Sequence, residues 1–267
     1  MAKRKVPATE RPDFTTHRKN FVKLLNQFSS YGYSRWNVFT DFLELSAIAI
    51  ANCDQILTPT KVVDEREERY KNTIGKYKKE AQPLFAHMLA ELIKEMETYC
   101  PKHLTDVLGE MFHDLELHNK WKGQFFTSQS VCDMIGMMNF GDAGAKVAAN
   151  GFVTVNDPCC GGGALILGAA NGMRKAGLNP NKQLLTVAND VDERCVHMCY
   201  LQLSLYGLPA IIRRQNTLTQ EIFGEPWYTP VFVADGWFLK MCRAFDETAP
   251  EPKPPAEKPK PIQLKLF

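Results

Sequence analysis

The chain has 267 residues, of which 45% are apolar and 23% charged, the composition of a globular protein with one or two domains. Its formal net charge is only +2, so charge alone does not indicate a nucleic-acid partner. The longest apolar stretch, 42–53, contains Glu44 and Asn52 and is shorter than the roughly 18 residues that span a membrane. We therefore expect a protein that does not enter a membrane.

The first half of the chain carries helical signals. Residues 1–14 are basic, and no apolar segment follows them, so we expect a disordered tail and no export signal. Residues 15–120 are predicted to form a helical domain, in which Asn37 is a candidate N-cap. Apolar periodicity and charge pairs at i,i+4 spacing predict helices over 38–50, 64–79 and 82–99.

The pattern changes after Gly123, where short apolar runs alternate with helical segments. The runs predict four strands, at 152–155, 184–188, 211–212 and 230–234, and the segments predict helices at 164–175 and 195–205. This alternation is typical of a parallel, doubly wound sheet, whose ligands bind beyond the carboxyl ends of the strands. Asp157, Asp190 and Asn216 each follow or end a predicted strand, so we expect them to meet at that edge.

Eight cysteines occur without a Cys-x-x-Cys pair, so the sequence predicts structural thiols rather than a zinc site. Reduced thiols and the missing export signal together predict a cytoplasmic protein.

A glycine-rich turn, Asp157-Pro-Cys-Cys-Gly-Gly-Gly163, joins the first predicted strand to a helix. Glycines allow the backbone to approach a ligand, and the N-terminus of the helix offers N–H donors to a carboxylate. The dinucleotide-binding pattern needs a small residue where Ile166 stands, so the turn alone does not identify its ligand. Asp190 is predicted to bind ribose hydroxyls, and its alternative role is the N-cap of the next helix.

Two ordered motifs, Gly123-Gln-Phe-Phe-Thr127 and 157–163, resemble those of the modification subunit of type I restriction systems. The layout is also similar to that of small plasmid- and phage-borne N-6 DNA methylase-like proteins, over about 30–240. The resemblance implies an α/β fold with a minimal, C-terminally shortened, Rossmann-like methyltransferase sheet over 121–245, preceded by the α-helical domain. It implies methyl transfer from S-adenosylmethionine to adenine N6 in DNA.

The resemblance also implies roles for individual residues of the cofactor site. Phe126 would pack on the cofactor, Thr127 would hold its carboxylate, and Asn216 would face the adenine amine. The other cofactor-binding residues that it implies are Asp157, Gly161, Gly163 and Asp190.

The Asn/Asp-Pro-Pro-Tyr/Phe motif of the family, which binds the target adenine, has no match in this sequence. Two segments could replace it, 225–228 and 235–238. The second follows the predicted strand 230–234, so Asp235 with Trp237 or Phe238 is the predicted catalytic set, and a turn with a buried Trp is the alternative. The alternatives for function are an inactive, restriction-protective or regulatory binding protein, and a methyltransferase acting on RNA or a protein amide.

Residues 246–267 are rich in Pro and charged residues, which predicts a disordered tail. The tail ends in Gln263-Leu264-Lys265-Leu266-Phe267, which resembles the peptide that binds the bacterial sliding clamp, except at Lys265. Gln263, Leu264, Leu266 and Phe267 are the predicted clamp contacts. A separate specificity subunit is a further predicted partner, because no recognition domain is evident.

Overall fold

The computed structural model describes residues 15–53, 56–115, 127–140 and 142–248, which form a mixed α/β fold. The helices in these ranges are α1 (Thr16–Ser30), α2 (Arg35–Ala51), α3 (Thr60–Ile74), α4 (Pro83–Tyr99), α5 (Val107–Asp114), α6 (Gln129–Phe140), α7 (Ala143–Asn150), α8 (Ala164–Lys175), α9 (Pro180–Gln183), α10 (Glu193–Leu205), α11 (Pro230–Ala234) and α12 (Trp237–Thr248). The strands are β1 (Val153–Asp157), β2 (Leu184–Asp190), β3 (Ala210–Asn216), β4 (Glu221–Ile222) and β5 (Trp227–Tyr228).

The sheet is mostly parallel, as the alternation of strands and helices predicts. Strands β1, β2 and β3 are parallel neighbours in that order, and β4 and β5 both pair antiparallel with β3. Helix α8 connects β1 to β2, and α10 connects β2 to β3. The register pairs Asp157 with Ala188 and Asp190 with Arg214, so the carboxyl ends of the three strands lie side by side.

Both faces of β2 are buried, because consecutive residues of the strand contribute to different cores. Leu184 belongs to a large core that joins the sheet to α8, α10 and the N-terminal helices. Leu185 belongs to a small core on the opposite face, with Ile211, Phe232 and Trp237. The described part of the sheet is thus covered by α8 and α10 on one side and by α11 and α12 on the other.

Helix α10 lies between the N-terminal helices and the sheet. Every residue from 195 to 203 is buried, which is the pattern of a helix covered on all sides. It contacts α2 and α5 on one side and β2 and β3 on the other. Two polar residues, His197 and Gln202, are buried within it.

Helices α6 and α8 cross at a glycine seam. A Cβ atom added to Gly136 would lie 1.9 Å from the carbonyl oxygen of Gly168, and one added to Gly172 would lie 2.4 Å from that of Gly136. Only glycine permits this approach of the two backbones. On the opposite side of α6, Val131 and Met138 belong to an exposed apolar stripe.

The predicted fourth strand at 230–234 is wrong, because these residues form α11. Thr229 is extended and uses its hydroxyl to accept a hydrogen bond from the Ala210 N–H and to donate one to the Leu208 carbonyl, 2.9 and 2.8 Å. Pro230 then stands in the first helical turn, where its missing N–H costs nothing. The residues that do pair with β3 come just before it, in β5.

Two helix boundaries also differ from the prediction. Helix α2 begins at Arg35 after Ser34, so Asn37 lies inside the helix and is not its N-cap. The charged helix α3 runs from 60 to 74 instead of 64 to 79, because Gly75 follows its last residue. The predicted 164–175 helix is confirmed as α8. Within the described ranges no helix combines the length and apolar character needed to cross a membrane.

Candidate functional site

A cavity of about 630 Å³ opens at the carboxyl ends of β1, β2 and β3. This is the size of a small-molecule site, and it lies where parallel sheets bind ligands. Its lining residues are Thr127, Pro158, Cys159, Cys160, Gly161, Gly162, Ala164, Leu165, Asp190, Val191, Cys195, Gln215, Asn216, Thr217 and Leu218. The structure therefore brings the glycine turn, Asp190 and Asn216 to one cavity, whereas the predicted cofactor-binding residues Asp157 and Gly163 are not part of its lining.

The glycine loop, residues 158–163, requires glycine at two positions. Gly161 has φ +51 and Gly163 has φ +95, both in the left-handed region that glycine occupies without strain. Between them, Gly162 packs closely on α10, where an added Cβ atom would lie 2.6 Å from Cε at the flexible end of Met198. The loop is therefore held tightly against α10 while its other side faces the cavity.

Asp190 holds the glycine loop from the sheet side. Its Oδ2 accepts a hydrogen bond from the Gly161 N–H at 3.0 Å, and its Oδ1 accepts one from the Asp192 N–H at 2.9 Å. Burial raises the pKa of Asp190, and the backbone donors only partly offset this effect. The N-cap of α10 is Asp192, whose side chain accepts from the Arg194 N–H, so the alternative role of Asp190 as the N-cap is wrong.

Asp157 ends β1 with one carboxylate oxygen paired and one unpaired. Oδ1 accepts a hydrogen bond from the Cys159 N–H at 3.1 Å. Oδ2 is buried and has no hydrogen-bond partner among the described residues. Burial raises the pKa of this carboxyl group, and the nearby Asp190 raises it further. A buried acceptor without a donor is destabilising. Asp157 is nevertheless not one of the residues that line the cavity.

The rim of the cavity is apolar at three positions. Leu165, Val191 and Leu218 are exposed although each is a large hydrophobic residue, and all three line the cavity. Exposed apolar side chains beside a few convergent polar groups are typical of a small-molecule site. They suit a flat aromatic ring.

Asn216 stabilises the turn that follows β3. Its side-chain oxygen accepts hydrogen bonds from the N–H groups of Leu218 and Thr219 at 3.1 and 3.2 Å. This oxygen is the one expected to meet the adenine amine, so any contact of Asn216 with adenine would use its amide N–H donors instead. The neighbouring Thr217 hydroxyl donates to the Pro158 carbonyl and links this turn to the glycine loop.

The predicted catalytic residues lie away from the cavity lining. Asp235 follows α11 and accepts a hydrogen bond at 2.6 Å from the ammonium of Lys182, which lies just before β2, so Asp235 is at the amino edge of the sheet and not at the cavity. Trp237 is fully buried and packs edge-on against Phe152, with ring centroids 5.5 Å apart, so its placement does not support stacking on a base. Phe238 is 45% exposed. The catalytic roles of Asp235 and Phe238 stay predictions. The argument that they follow a strand no longer supports them, because residues 230–234 form a helix.

The competing segment, 225–228, is also part of the packing. Trp227 lies beneath the guanidinium group of Arg66, 3.9 Å from its ring centroid, and is almost fully buried. Arg66 also donates a hydrogen bond to the Pro226 carbonyl at 3.2 Å. Tyr228 stacks on Phe232. Neither tryptophan is therefore placed to receive a base in this conformation.

Some predicted residues lie outside the described ranges, namely Phe126, Gln263, Leu264, Leu266 and Phe267. Sequence reasoning in turn missed Gln202, which contacts the back of the glycine loop. The available signal was a polar residue between Leu201 and Leu203, inside a mostly apolar stretch of the helix.

A family model describing N-6 DNA methylases matches residues 103–240, which are 138 of the 267 residues and just over half of the chain. The matched region runs from the residues before α5 to α12 and contains the whole sheet and the cavity. No curated protein and no solved structure matches the chain significantly. With more than half of its length matched, the chain belongs to the N-6 DNA methylase family.

Proposed function

We propose that the protein binds S-adenosylmethionine in the cavity and transfers its methyl group to adenine N6 in DNA. The observation that carries the proposal is the cavity itself, which is lined by a glycine loop that Asp190 holds at the carboxyl ends of the strands. Membership of the N-6 DNA methylase family supports a DNA methyltransferase. We also propose that the parallel strands are the Rossmann-like part of such an enzyme.

The residues of the cavity fit the chemical groups of this cofactor. Asp157 is not part of the lining, and its unpaired oxygen would be an acceptor for an ammonium or hydroxyl group that reaches it. Each oxygen of Asp190 already accepts one N–H and has a second lone pair for a ribose hydroxyl. Leu165 and Leu218 would cover the adenine ring, and Thr127 would hold the carboxylate. When bound, the cofactor supplies an electrophilic methyl group.

Transfer to adenine N6 needs a group that accepts a hydrogen bond from the amine, because the lone pair of the amine is delocalised into the ring. We propose Asp235 as this acceptor and Phe238 as the aromatic side chain that contacts the base. Both belong to the exposed or partly exposed surface that follows β5. Lys182 lies just before β2, so Asp235 is at the amino edge of the sheet, opposite the cavity. The proposal therefore requires residues 235–238 to move to the cavity when DNA binds.

A second candidate function is cofactor or DNA binding without transfer. It is favoured by one observation: Trp227 and Trp237, the tryptophans of the two segments that could replace the missing motif, are buried in the packing. Such a protein would protect DNA from restriction or regulate a partner. A transferase acting on RNA or a protein amide would have the same cofactor site.

Two measurements on the purified protein separate these functions. Calorimetry tests the binding of S-adenosylmethionine and its demethylated product. Incubation with radiolabelled cofactor and unmethylated DNA, followed by digestion, tests for N6-methyladenine, and parallel RNA and protein substrates test the alternatives. Binding with N6-methyladenine supports the first function, and binding without any transfer supports the second. No binding at millimolar cofactor contradicts the proposed cofactor.

We further propose a plasmid- or phage-borne bacterial protein of the type I modification kind, acting in the cytoplasm with a separate specificity subunit. The proposed clamp contact rests on the sequence of 263–267 alone, outside the described residues. A peptide of residues 258–267 should bind the purified clamp with micromolar affinity, and Leu266→Ala with Phe267→Ala should remove this binding. No binding at high micromolar peptide contradicts the clamp proposal.

A further inference from the structure

Gln202 is a fully buried polar residue at the centre of α10. A side-chain amide brings two N–H donors and a carbonyl acceptor into the core, and each is destabilising there without a partner. Its neighbours Leu201 and Leu203 are buried as well. An apolar residue would be the simplest choice at such a position, so the partners of Gln202 indicate why an amide is found there.

The amide of Gln202 is fully used, and its partners belong to two different parts of the chain. Its Nε2 donates one hydrogen bond to the Gly162 carbonyl and another to Oδ1 of Asp106, both at 2.7 Å. Its Oε1 accepts a hydrogen bond from the Leu108 N–H at 3.1 Å. Gln202 thus joins the glycine loop to the first turn of α5.

Asp106 is a fixed anchor for this bridge. It is almost fully buried and is the N-cap of α5, where Oδ1 accepts a hydrogen bond from the Gly109 N–H at 2.8 Å. Its own N–H donates to Oε1 of Gln129, in the first turn of α6, also at 2.8 Å. Two helices therefore hold Asp106 in place without the help of Gln202.

The glycine loop is consequently held from two sides. On the sheet side, Asp190 accepts the Gly161 N–H at 3.0 Å. On the helix side, a Cβ atom added to Gly162 would lie 3.3 Å from Asp106 Oδ1 and 3.4 Å from Gln202 Nε2. These distances show that Gly162 packs directly against both side chains of the bridge.

We propose that Gln202, anchored by Asp106, is a positioning residue that holds the Gly162 carbonyl in the core and thereby fixes the glycine loop in its ligand-binding conformation. A carbonyl oxygen kept in the core cannot repel a carboxylate in the cavity. A loop that is already ordered also loses less entropy when the ligand binds. The identity of the ligand, S-adenosylmethionine, rests on the proposed function, but the positioning of the loop does not.

The test compares Gln202→Met with a matched control, Asn171→Leu. Asn171 is a buried amide on α8 whose partners are both backbone groups of Leu104, at 2.8 and 2.9 Å, and the side chains of His103 and Asp133, at 2.9 and 3.0 Å. None of these partners belongs to the glycine loop. Both substitutions remove a satisfied buried amide, so both are expected to lower the melting temperature. Only Gln202→Met alters the back of the glycine loop.

Gln202→Met should weaken S-adenosylmethionine binding about tenfold or more, whereas Asn171→Leu should change it less than about threefold. In the protein without cofactor, amide hydrogen exchange of peptides covering 159–165 should be faster in Gln202→Met and unchanged in Asn171→Leu. Equal losses of affinity in the two variants, or unchanged exchange of the loop in Gln202→Met, would overturn the positioning role. If the wild-type protein binds no cofactor, the proposed function fails, while the exchange measurement still decides the positioning role.

Gln202→Glu is the second variant, for the case that the methionine variant does not fold. It preserves the shape of the side chain, and its carboxyl group can donate one hydrogen bond when protonated but none when ionised. We therefore expect the variant to protect residues 159–165 from hydrogen exchange better at pH 5.5 than at pH 8, relative to wild type at the same pH. Its cofactor affinity, relative to wild type, should also be higher at pH 5.5. Ratios that do not depend on pH would contradict the proposal.

Discussion

The glycine loop and the segment after β3 differ in how well the sequence predicts them. For the glycine loop the sequence predicts its place after β1 and its meeting with Asp190 at the carboxyl ends of the strands, although not its contact with Gln202. In the segment that follows β3, residues 225–238, apolar runs and aromatic residues predict a strand and an exposed catalytic motif. The structure contains a short helix there, and both tryptophans are buried. Backbone constraints are local, whereas the burial of an aromatic side chain depends on distant packing.

The largest expected effect tests whether the region after β3 contributes to chemistry at all. In a protein that methylates DNA, Asp235→Ala should reduce the transfer rate at least about 100-fold while cofactor affinity stays nearly constant. The control is Lys182→Ala, which removes the partner of Asp235 but leaves the carboxylate in place. The exposed ion pair itself contributes at most about 1 kcal/mol to stability. A wild-type rate of methyl transfer in Asp235→Ala would mean that Asp235 has no catalytic role.

Asp190→Ala tests the glycine loop, the other region of the comparison. The substitution removes the acceptor of the Gly161 and Asp192 N–H groups and the proposed ribose contact. Cofactor affinity should fall by about 1–3 kcal/mol, or about 5- to 150-fold, as calorimetry can measure. Asp192→Ala is the control, since it removes the N-cap of α10 and should cost about 1 kcal/mol of stability. Similar affinities for the two variants would show that Asp190 has no special role.

The glycine seam between α6 and α8 gives a prediction with opposite signs for two glycines. Gly136→Ala would place a Cβ atom 1.9 Å from the Gly168 carbonyl oxygen and should lower the free energy of unfolding by about 1–3 kcal/mol or more. Gly144→Ala, in α7, meets no atom within 4 Å and should raise it by up to about 1 kcal/mol. Urea unfolding measures both. A neutral Gly136→Ala would mean that the helices separate easily.

The pH dependence of stability tests how firmly Trp227 is packed. His197 lies against Trp227, with ring centroids 5.0 Å apart, and burial lowers the pKa of His197 to about 3. The unfolded chain therefore binds a proton at His197 near pH 6.5, whereas the folded protein does not. The stabilising contribution of the neutral, buried His197 is complete above pH 6.5 and is lost as the pH falls below it. The loss is about 1.4 kcal/mol per pH unit below pH 6.5.

His197→Leu should remove this part of the pH dependence. Between pH 7.5 and 5.5, urea unfolding should show a fall in stability that is about 1.4 kcal/mol larger for wild type than for the variant. The exposed His87, replaced by Gln, is the control and should behave as wild type. An equal fall in wild type and His197→Leu would mean that water reaches His197, and that the residues after β3 are more loosely packed than the structure indicates.

The parts of the fold that could be predicted are those that the local sequence determines. Helix 164–175 was predictable because a glycine precedes it and an apolar stripe continues through it. The helix at 230–234 was not, since two valines favour a strand and only Pro230 and the hydrogen bonds of Thr229 decide against it. The role of Gln202 could not be predicted, because its partners Asp106 and Gly162 are distant in sequence.

The burial of α10 sets a lower limit on how far this methylase can be shortened. A fragment beginning at Thr127 would keep every residue that lines the cavity. It would also expose the side of α10 that α2 and α5 cover, and it would lack Asp106. Such a fragment should aggregate through its exposed apolar surface and pack loosely, and its cavity should be poorly formed. The N-terminal helices are therefore better regarded as the outer wall of the unit that contains the cavity than as an attachment to it.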